Sequence, residues 1–140
     1  MDLKKITSSV LVFIIKRLIE IVGFLISCIG ILLFVALISY SPTDPNFIFP
    51  ENTKIDNILG FQGSYASDLF FQSIGLISFL IPFTLIFTGI SVFKKKELFI
   101  IIENIFYIIP YSLTGSLFLS FFYKNSFSLY INGNDGFVGN

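Results

Sequence analysis

The sequence predicts an all-α fold, an integral membrane bundle of helical hairpins with three transmembrane helices and a helical extension at the N-terminus. Two observations carry that prediction. First, three long stretches hold no Asp, Glu, Lys or Arg: twenty residues from Ile21 to Tyr40, twenty-five from Leu69 to Phe93 and twenty from Asn104 to Tyr123. A helix rising about 1.5 Å per residue crosses a hydrocarbon core about 30 Å thick in roughly 20 residues. Second, only 13 % of the 140 residues are charged and 54 % are hydrophobic, against about 25 % charged in an ordinary soluble domain. Mean hydropathy is +0.86. Three such helices in so short a chain leave almost no surface for water.

Residues 1–17 form the N-terminal helical segment. Ile6, Val10, Phe13 and Ile14 share a face, with Lys4, Lys5 and Ser8 elsewhere. The segment either extends the first span, the simpler reading, or lies on the membrane surface with its lysines toward anionic lipid. Its basic residues and the apolar run behind them resemble a secretory signal. The run is too long for one, however, and ends at Ile38-Ser39-Tyr40-Ser41-Pro42 without a small-residue cleavage site. An uncleaved anchor is predicted.

The first span covers about residues 18–40 and the loop after it residues 41–68. Tyr40 belongs at headgroup level. In Ser41-Pro42-Thr43-Asp44-Pro45, serine at N-cap, proline at N1 and a carboxylate at N3 predict a helical or 3₁₀ start, which Pro45 cuts short. Asn57 to Gly63 reads as a turn, and Ser64–Asp68 leads into the second span, about 69–93. Pro82 and Pro110 each remove a backbone donor and are expected to bend their helices. A cytoplasmic turn at 94–97, a third span at about 98–123 and a polar tail at 124–140 complete the chain, with a tight turn expected at Asn132-Gly133. Small residues recur at packing distance: Gly23 and Ser27 in span one, and Ser112, Ser116 and Ser120 in span three. They allow close helix approach, within this chain or between chains.

Orientation follows from the basic residues. Lys4, Lys5, Lys16, Arg17, Lys94, Lys95 and Lys96 account for seven of the nine Lys and Arg, leaving Lys54 and Lys124 on the other side. The positive-inside rule puts the N-terminus and the 94–97 turn in the cytoplasm and both loops outside.

Much chemistry is missing. The chain has no histidine, and its single cysteine, Cys28, lies within an apolar run, so no intrachain disulfide can form. No Cys/His cluster suggests a metal, and no cofactor is expected. No Gly-Lys pair exists, so no P-loop does. No basic surface interleaved with aromatics suggests nucleic-acid binding, and neither nucleotide nor nucleic acid is an expected partner. Glu103 is the one charge near the interior of a span. Its position shortly after Lys94–Lys96 favours an interfacial level, because mid-membrane placement costs roughly 2.5–3.5 kcal/mol.

The loop corner carries a family resemblance. Ser39-Tyr40-Ser41-Pro42-Thr43-Asp44-Pro45 after a first span resembles the start of the periplasmic loop in the N-terminal membrane domain of the bacterial DNA translocase FtsK/SpoIIIE family. Asn57, Gly60, Gly63, Ala66, Asp68, Leu69 and Gly75 follow in that family's order. Gly133-Asn134-Asp135-Gly136-Phe137-Val138-Gly139 resembles the stretch before its fourth span, with Asp135 in place of the usual glycine. The resemblance covers about residues 18–140. It implies a four-span module in the bacterial inner membrane, at the septum, anchoring a cytoplasmic DNA pump for cell division and chromosome segregation. Its implied partners are the lipid bilayer, further copies of itself and other division proteins.

Three spans leave the C-terminal end outside, whereas a DNA motor must sit in the cytoplasm. On this reading the chain is part of a longer protein whose next span returns inward. The competing reading is an autonomous small multi-pass membrane protein, either a transporter-like subunit or a membrane-perturbing peptide. The two differ in whether flux or septal enrichment is found.

Overall fold

No proline interrupts the first 41 residues. The computed structural model, which describes residues 3–45, 54–123 and 136–139, accordingly begins with one unbroken helix, α1, Leu3–Ile38. At 36 residues it is about 54 Å long, well beyond the roughly 30 Å of a hydrocarbon core. Residues 3–17 continue it with no break. It ends four residues before Pro42, which has no N–H to give the Ile38 carbonyl and whose ring would clash with it. In its last turn the Ser39 hydroxyl donates to the Val35 carbonyl at 2.7 Å.

The second apolar region folds as three pieces. Helix α2 spans Gly60–Ile74, a 3₁₀ segment spans Gly75–Phe79, and helix α3 spans Leu80–Lys95. Gly75 makes the break: its φ of 62° is open to glycine and strained for other residues. Pro82 therefore falls in the first turn of α3, where a missing N–H does little harm. The bend expected at this proline is taken instead by the glycine and the 3₁₀ turn. Lys96, at φ 60°, closes α3 with its N–H on the Val92 carbonyl at 2.8 Å. Helix α4, Phe99–Tyr123, runs through Pro110, and a short helix α5, Gly136–Gly139, follows. The expected turn at Asn132-Gly133 lies outside the described residues.

Three helical stretches are long and apolar enough to cross a membrane: Ser8–Ile38, Gly60–Lys95 and Phe99–Tyr123. Among the described residues there is no strand, and the all-α prediction holds. The central unit is the antiparallel pair α1–α3. Gly23 lies against Gly89 and Phe93, Gly30 against Pro82 and Ile86, and the Ser27 hydroxyl donates to the Ile86 carbonyl at 3.3 Å. A Cβ on Gly23 would stand 2.7 Å from the Gly89 carbonyl oxygen and 2.7 Å from the Phe93 nitrogen. Glycine here is what lets two backbones touch where lipid supplies no hydrophobic drive.

Helix α4 packs antiparallel on α3 through polar contacts. The Asn104 amide donates to the Thr88 hydroxyl at 2.9 Å, and the Thr84 and Tyr111 hydroxyls lie 3.2 Å apart. Gly115 accommodates the Ile77 side chain, and Ser116 is buried. Among the described residues, Ile100 and Ser116 are the buried positions of α4, and most of its side chains are exposed or half-buried.

Candidate interaction site at the loop corner

The polar end of the α1–α3 pair is built from groups that must be satisfied away from bulk water. The last carbonyls of α1 have no partner within their own helix. Asn57, twenty-one residues further along, supplies one: its Nδ2 donates to the Ala36 carbonyl at 2.9 Å and to the Ser39 carbonyl at 3.2 Å. Its Oδ1 accepts from the Leu59 N–H at 3.0 Å, and the Gly60 N–H reaches the Asn57 carbonyl at 2.9 Å. One side chain therefore caps α1 and shapes the turn that starts α2. Gly60 takes φ +67° to leave that turn, with open space around it. At Gly63 the reason is proximity instead, since a Cβ would lie 2.6 Å from the Leu59 Cβ and collide with the Asn57 amide oxygen.

Asp44 holds Asn57 in place. Its Oδ1 accepts from the Asp56 N–H at 2.8 Å and its Oδ2 from the Asn57 N–H at 2.9 Å. The residue is 6 % exposed. A buried carboxylate needs such donors, and two charge-assisted bonds supply them. Of the expected helical or 3₁₀ start only one turn is present. Residues 41–44 make a single turn, with the Asp44 N–H on the Ser41 carbonyl at 3.2 Å, and the Ser41 hydroxyl meets the Thr43 hydroxyl at 2.8 Å. The carboxylate has left its own turn for a segment twelve residues ahead, where two donors outdo one N-cap bond. Ile58 N–H on the Ser39 hydroxyl, at 3.3 Å, and the Ser64 hydroxyl on the Pro45 carbonyl, at 3.1 Å, complete the knot.

Asp68, also buried, ties α2 to the end of α1. It accepts from the Tyr40 hydroxyl at 3.3 Å and from the Gln72 amide at 2.8 Å. The Tyr40 ring lies 4.8 Å from that of Phe71, which is 5.4 Å from Phe79. Phe34 stands 5.1 Å from Phe83 on the same seam. Below α2 an apolar cavity of about 520 Å³ opens between α1, α2 and α3, with Leu33, Ala36, Phe70 and Leu85 in its wall. Around the fixed knot the outward side chains are free of the core. Pro42 and Thr43 are exposed, Ile58 is 74 % exposed, and Phe61 is 49 % exposed.

Of the loop residues singled out from sequence, Asp44, Pro45, Gly63 and Asp68 are buried in this cluster, Ser41 and Gly60 are half-buried, and Pro42 and Thr43 lie on its surface. Sequence reasoning passed over Asn57 as a turn former and gave Ser39 no role. The signals for Asn57 were its place at the head of the family pattern and its position three residues before a glycine and a helix.

The basic residues gather at the opposite end of the hairpin. Lys16 and Arg17 stand on α1, and Lys94, Lys95 and Lys96 at the end of α3. Glu20 joins the two groups, accepting from Arg17 and, at 2.7 Å, from the Lys96 ammonium. Lys4 and Lys5 fall in the first turns of α1. Of the packing candidates, Gly23 and Ser27 face α3, Ser116 is buried near the 3₁₀ segment, Ser120 is half-buried, and Ser112 returns its hydroxyl to the Ile109 carbonyl of its own helix. Glu103 is exposed one turn into α4. Among the described residues no group of His, Cys, Asp and Glu is placed to hold a metal ion.

Comparison with known proteins places this architecture. Residues 15–140 match the family described as the 4TM region of DNA translocase FtsK/SpoIIIE. The chain is 29 % identical over 101 residues to a DNA translocase FtsK of Rickettsia typhi, covering 72 % of this chain and 14 % of the relative. It is 34 % identical over 71 residues to a DNA translocase FtsK of Azospirillum brasilense, covering 49 % of this chain and 11 % of that one. A DNA translocase FtsK of Rickettsia bellii is 32 % identical over 72 residues, or 51 % of this chain and 10 % of the relative. The chain thus spans about a seventh or less of the length of these relatives. No solved structure gives a significant match. With its spanning helices, its loop corner and a family match over nearly its whole length, the chain belongs to the family of the FtsK/SpoIIIE 4TM region, the membrane domain of a DNA translocase.

Proposed function

We propose that this chain is the membrane anchor and division-site assembly module of a DNA translocase that acts in cell division and chromosome segregation. It sits in the bacterial inner membrane with its N-terminus and the Lys94–Lys96 turn in the cytoplasm, and the loop corner outside. The basic asymmetry supports that orientation. The chain itself carries no motor, consistent with a sequence that has no P-loop.

The observation that carries the assembly reading is the Asp44–Asn57 knot. A loop meant only to connect two spans needs no buried carboxylate. This one fixes the backbone of the corner and thereby presents Pro42, Thr43, Ile58 and Phe61 in a set arrangement. Preorganised exposed apolar groups reduce the ordering cost of binding. The partners are division proteins reached from outside the membrane and further copies of the chain.

The test is imaging of fluorescent fusions in dividing cells. The wild-type chain enriches at septa, Asp44→Ala and Ile58→Asp lose the enrichment while staying in the membrane, and Glu103→Gln keeps it. Septal enrichment unaffected by both loop variants, or an even distribution of the wild-type chain, would sink the assembly role.

A further inference from the structure

The basic end of the hairpin holds a feature that anchoring does not use. Between α1 and α3 lies an open notch of about 260 Å³, lined by Arg17, Glu20, Ile21, Phe24 and Phe93. Its rim is charged, carrying Arg17 and Glu20 with Lys96 bound to Glu20 beside it, and its floor is apolar. Lys96, on the α3 side, and Arg17, on the α1 side, both bind the Glu20 carboxylate. Glu20 is 12 % exposed at its side chain, whereas Arg17 and Lys96 keep 58 % and 37 %. One carboxylate thus holds two cations at the rim of the notch while consuming few of their donors, since a guanidinium has five N–H groups and an ammonium three. The Arg17 guanidinium is further steadied 5.0 Å above the Phe13 ring. Lys16 precedes Arg17 in α1, and Lys94 and Lys95 precede Lys96 in α3, so this end of the helix pair is rich in cations. Beneath, Ile21, Phe24 and Phe93 are 55 %, 60 % and 49 % exposed on the lipid side.

We propose that this notch is a binding site for an anionic phospholipid, with its phosphate on the N–H groups of Arg17 and Lys96 that Glu20 leaves free and an acyl chain lying along Ile21, Phe24 and Phe93. Basic pockets between membrane helices recognise anionic headgroups by charge, and planar guanidinium groups match phosphate oxygens. The apolar floor directly below the cations fits a ligand that is charged at one end and hydrocarbon at the other. Free phosphate would use only the rim. Glu20 is a positioning residue: it sets the spacing of Arg17 and Lys96 across the helix pair.

The chain has no tryptophan, so Phe24→Trp installs a single reporter in the notch. In reconstituted vesicles its fluorescence is quenched by lipid brominated on the acyl chain. The expected result is quenching at a several-fold lower mole fraction of brominated phosphatidylglycerol than of brominated phosphatidylcholine, unrelieved by millimolar inorganic phosphate. Equal quenching by the two lipids overturns the proposal, and relief by inorganic phosphate replaces it with a free-anion site. Two further variants of equal net charge separate a built site from general surface attraction. The triple change Arg17→Gln, Glu20→Gln, Lys96→Gln abolishes the preference, whereas Lys95→Gln, outside the notch, leaves most of it. Equal losses in the two overturn the proposal. Helicity by circular dichroism checks the triple variant, and if that variant does not fold, the lipid comparison on the Phe24→Trp chain decides alone.

Discussion

Asp44 is the residue whose loss tests the loop corner most directly. Replacing it with alanine strands two backbone donors. The Asn57 N–H is buried and stays without a partner, a penalty of about 1–3 kcal/mol, with a charge-assisted bond at the upper end. Asp56 is exposed and its N–H turns to water, so losing that bond costs about 1 kcal/mol or less. The sum is about 3 kcal/mol, before any slackening of the Asn57 cap on Ala36 and Ser39. Asp44→Asn keeps one acceptor and sets an amide NH₂ against the second donor, which predicts about half the loss. Hydrogen exchange in lipid nanodiscs reads this residue by residue. At about 1.4 kcal/mol per tenfold, local opening at the Asn57 amide becomes about a hundredfold more frequent in Asp44→Ala, with a smaller change in Asp44→Asn. Protection at Asn57 unchanged in both variants, or Asp44→Ala within about 0.5 kcal/mol of wild type, would refute the idea that the carboxylate organises the corner.

Two other perturbations probe the helix contacts. Gly23→Ala sets a methyl group 2.7 Å from backbone atoms of Gly89 and Phe93, which cannot rotate away. α1 and α3 must part, and thermal unfolding in mixed micelles should register an overpacking loss of about 1–3 kcal/mol, while a stability equal to wild type would mean the seam is not closely packed. A double-mutant cycle on Thr88→Val and Asn104→Leu, which removes the 2.9 Å bond between α3 and α4, is expected to return a coupling of about 0.6 kcal/mol, as for other interhelical bonds in membranes. A coupling of zero would mean that this bond does not help hold α4 against α3.

The existence of spanning helices, the clustering of positive charge at one end and the family itself were legible in the sequence. Each depends on local properties: an uncharged run long enough to cross a bilayer declares itself without reference to any other residue, and the lysines at 94–96 are basic whatever they touch. Helix limits were legible only in part. The apolar run from Leu69 hid the division at Gly75, because hydrophobicity continues smoothly across it while the backbone does not. The tertiary structure alone decided where polar groups found partners. Ser41-Pro42-Thr43-Asp44 has the composition of a helix start, yet the Asp44 carboxylate serves Asp56 and Asn57, and Asn57 serves the end of α1. Those choices are made when segments twelve to twenty-one residues apart meet at the polar end of the hairpin. A buried donor or acceptor must be satisfied by whatever the fold brings near, and local sequence does not contain that information.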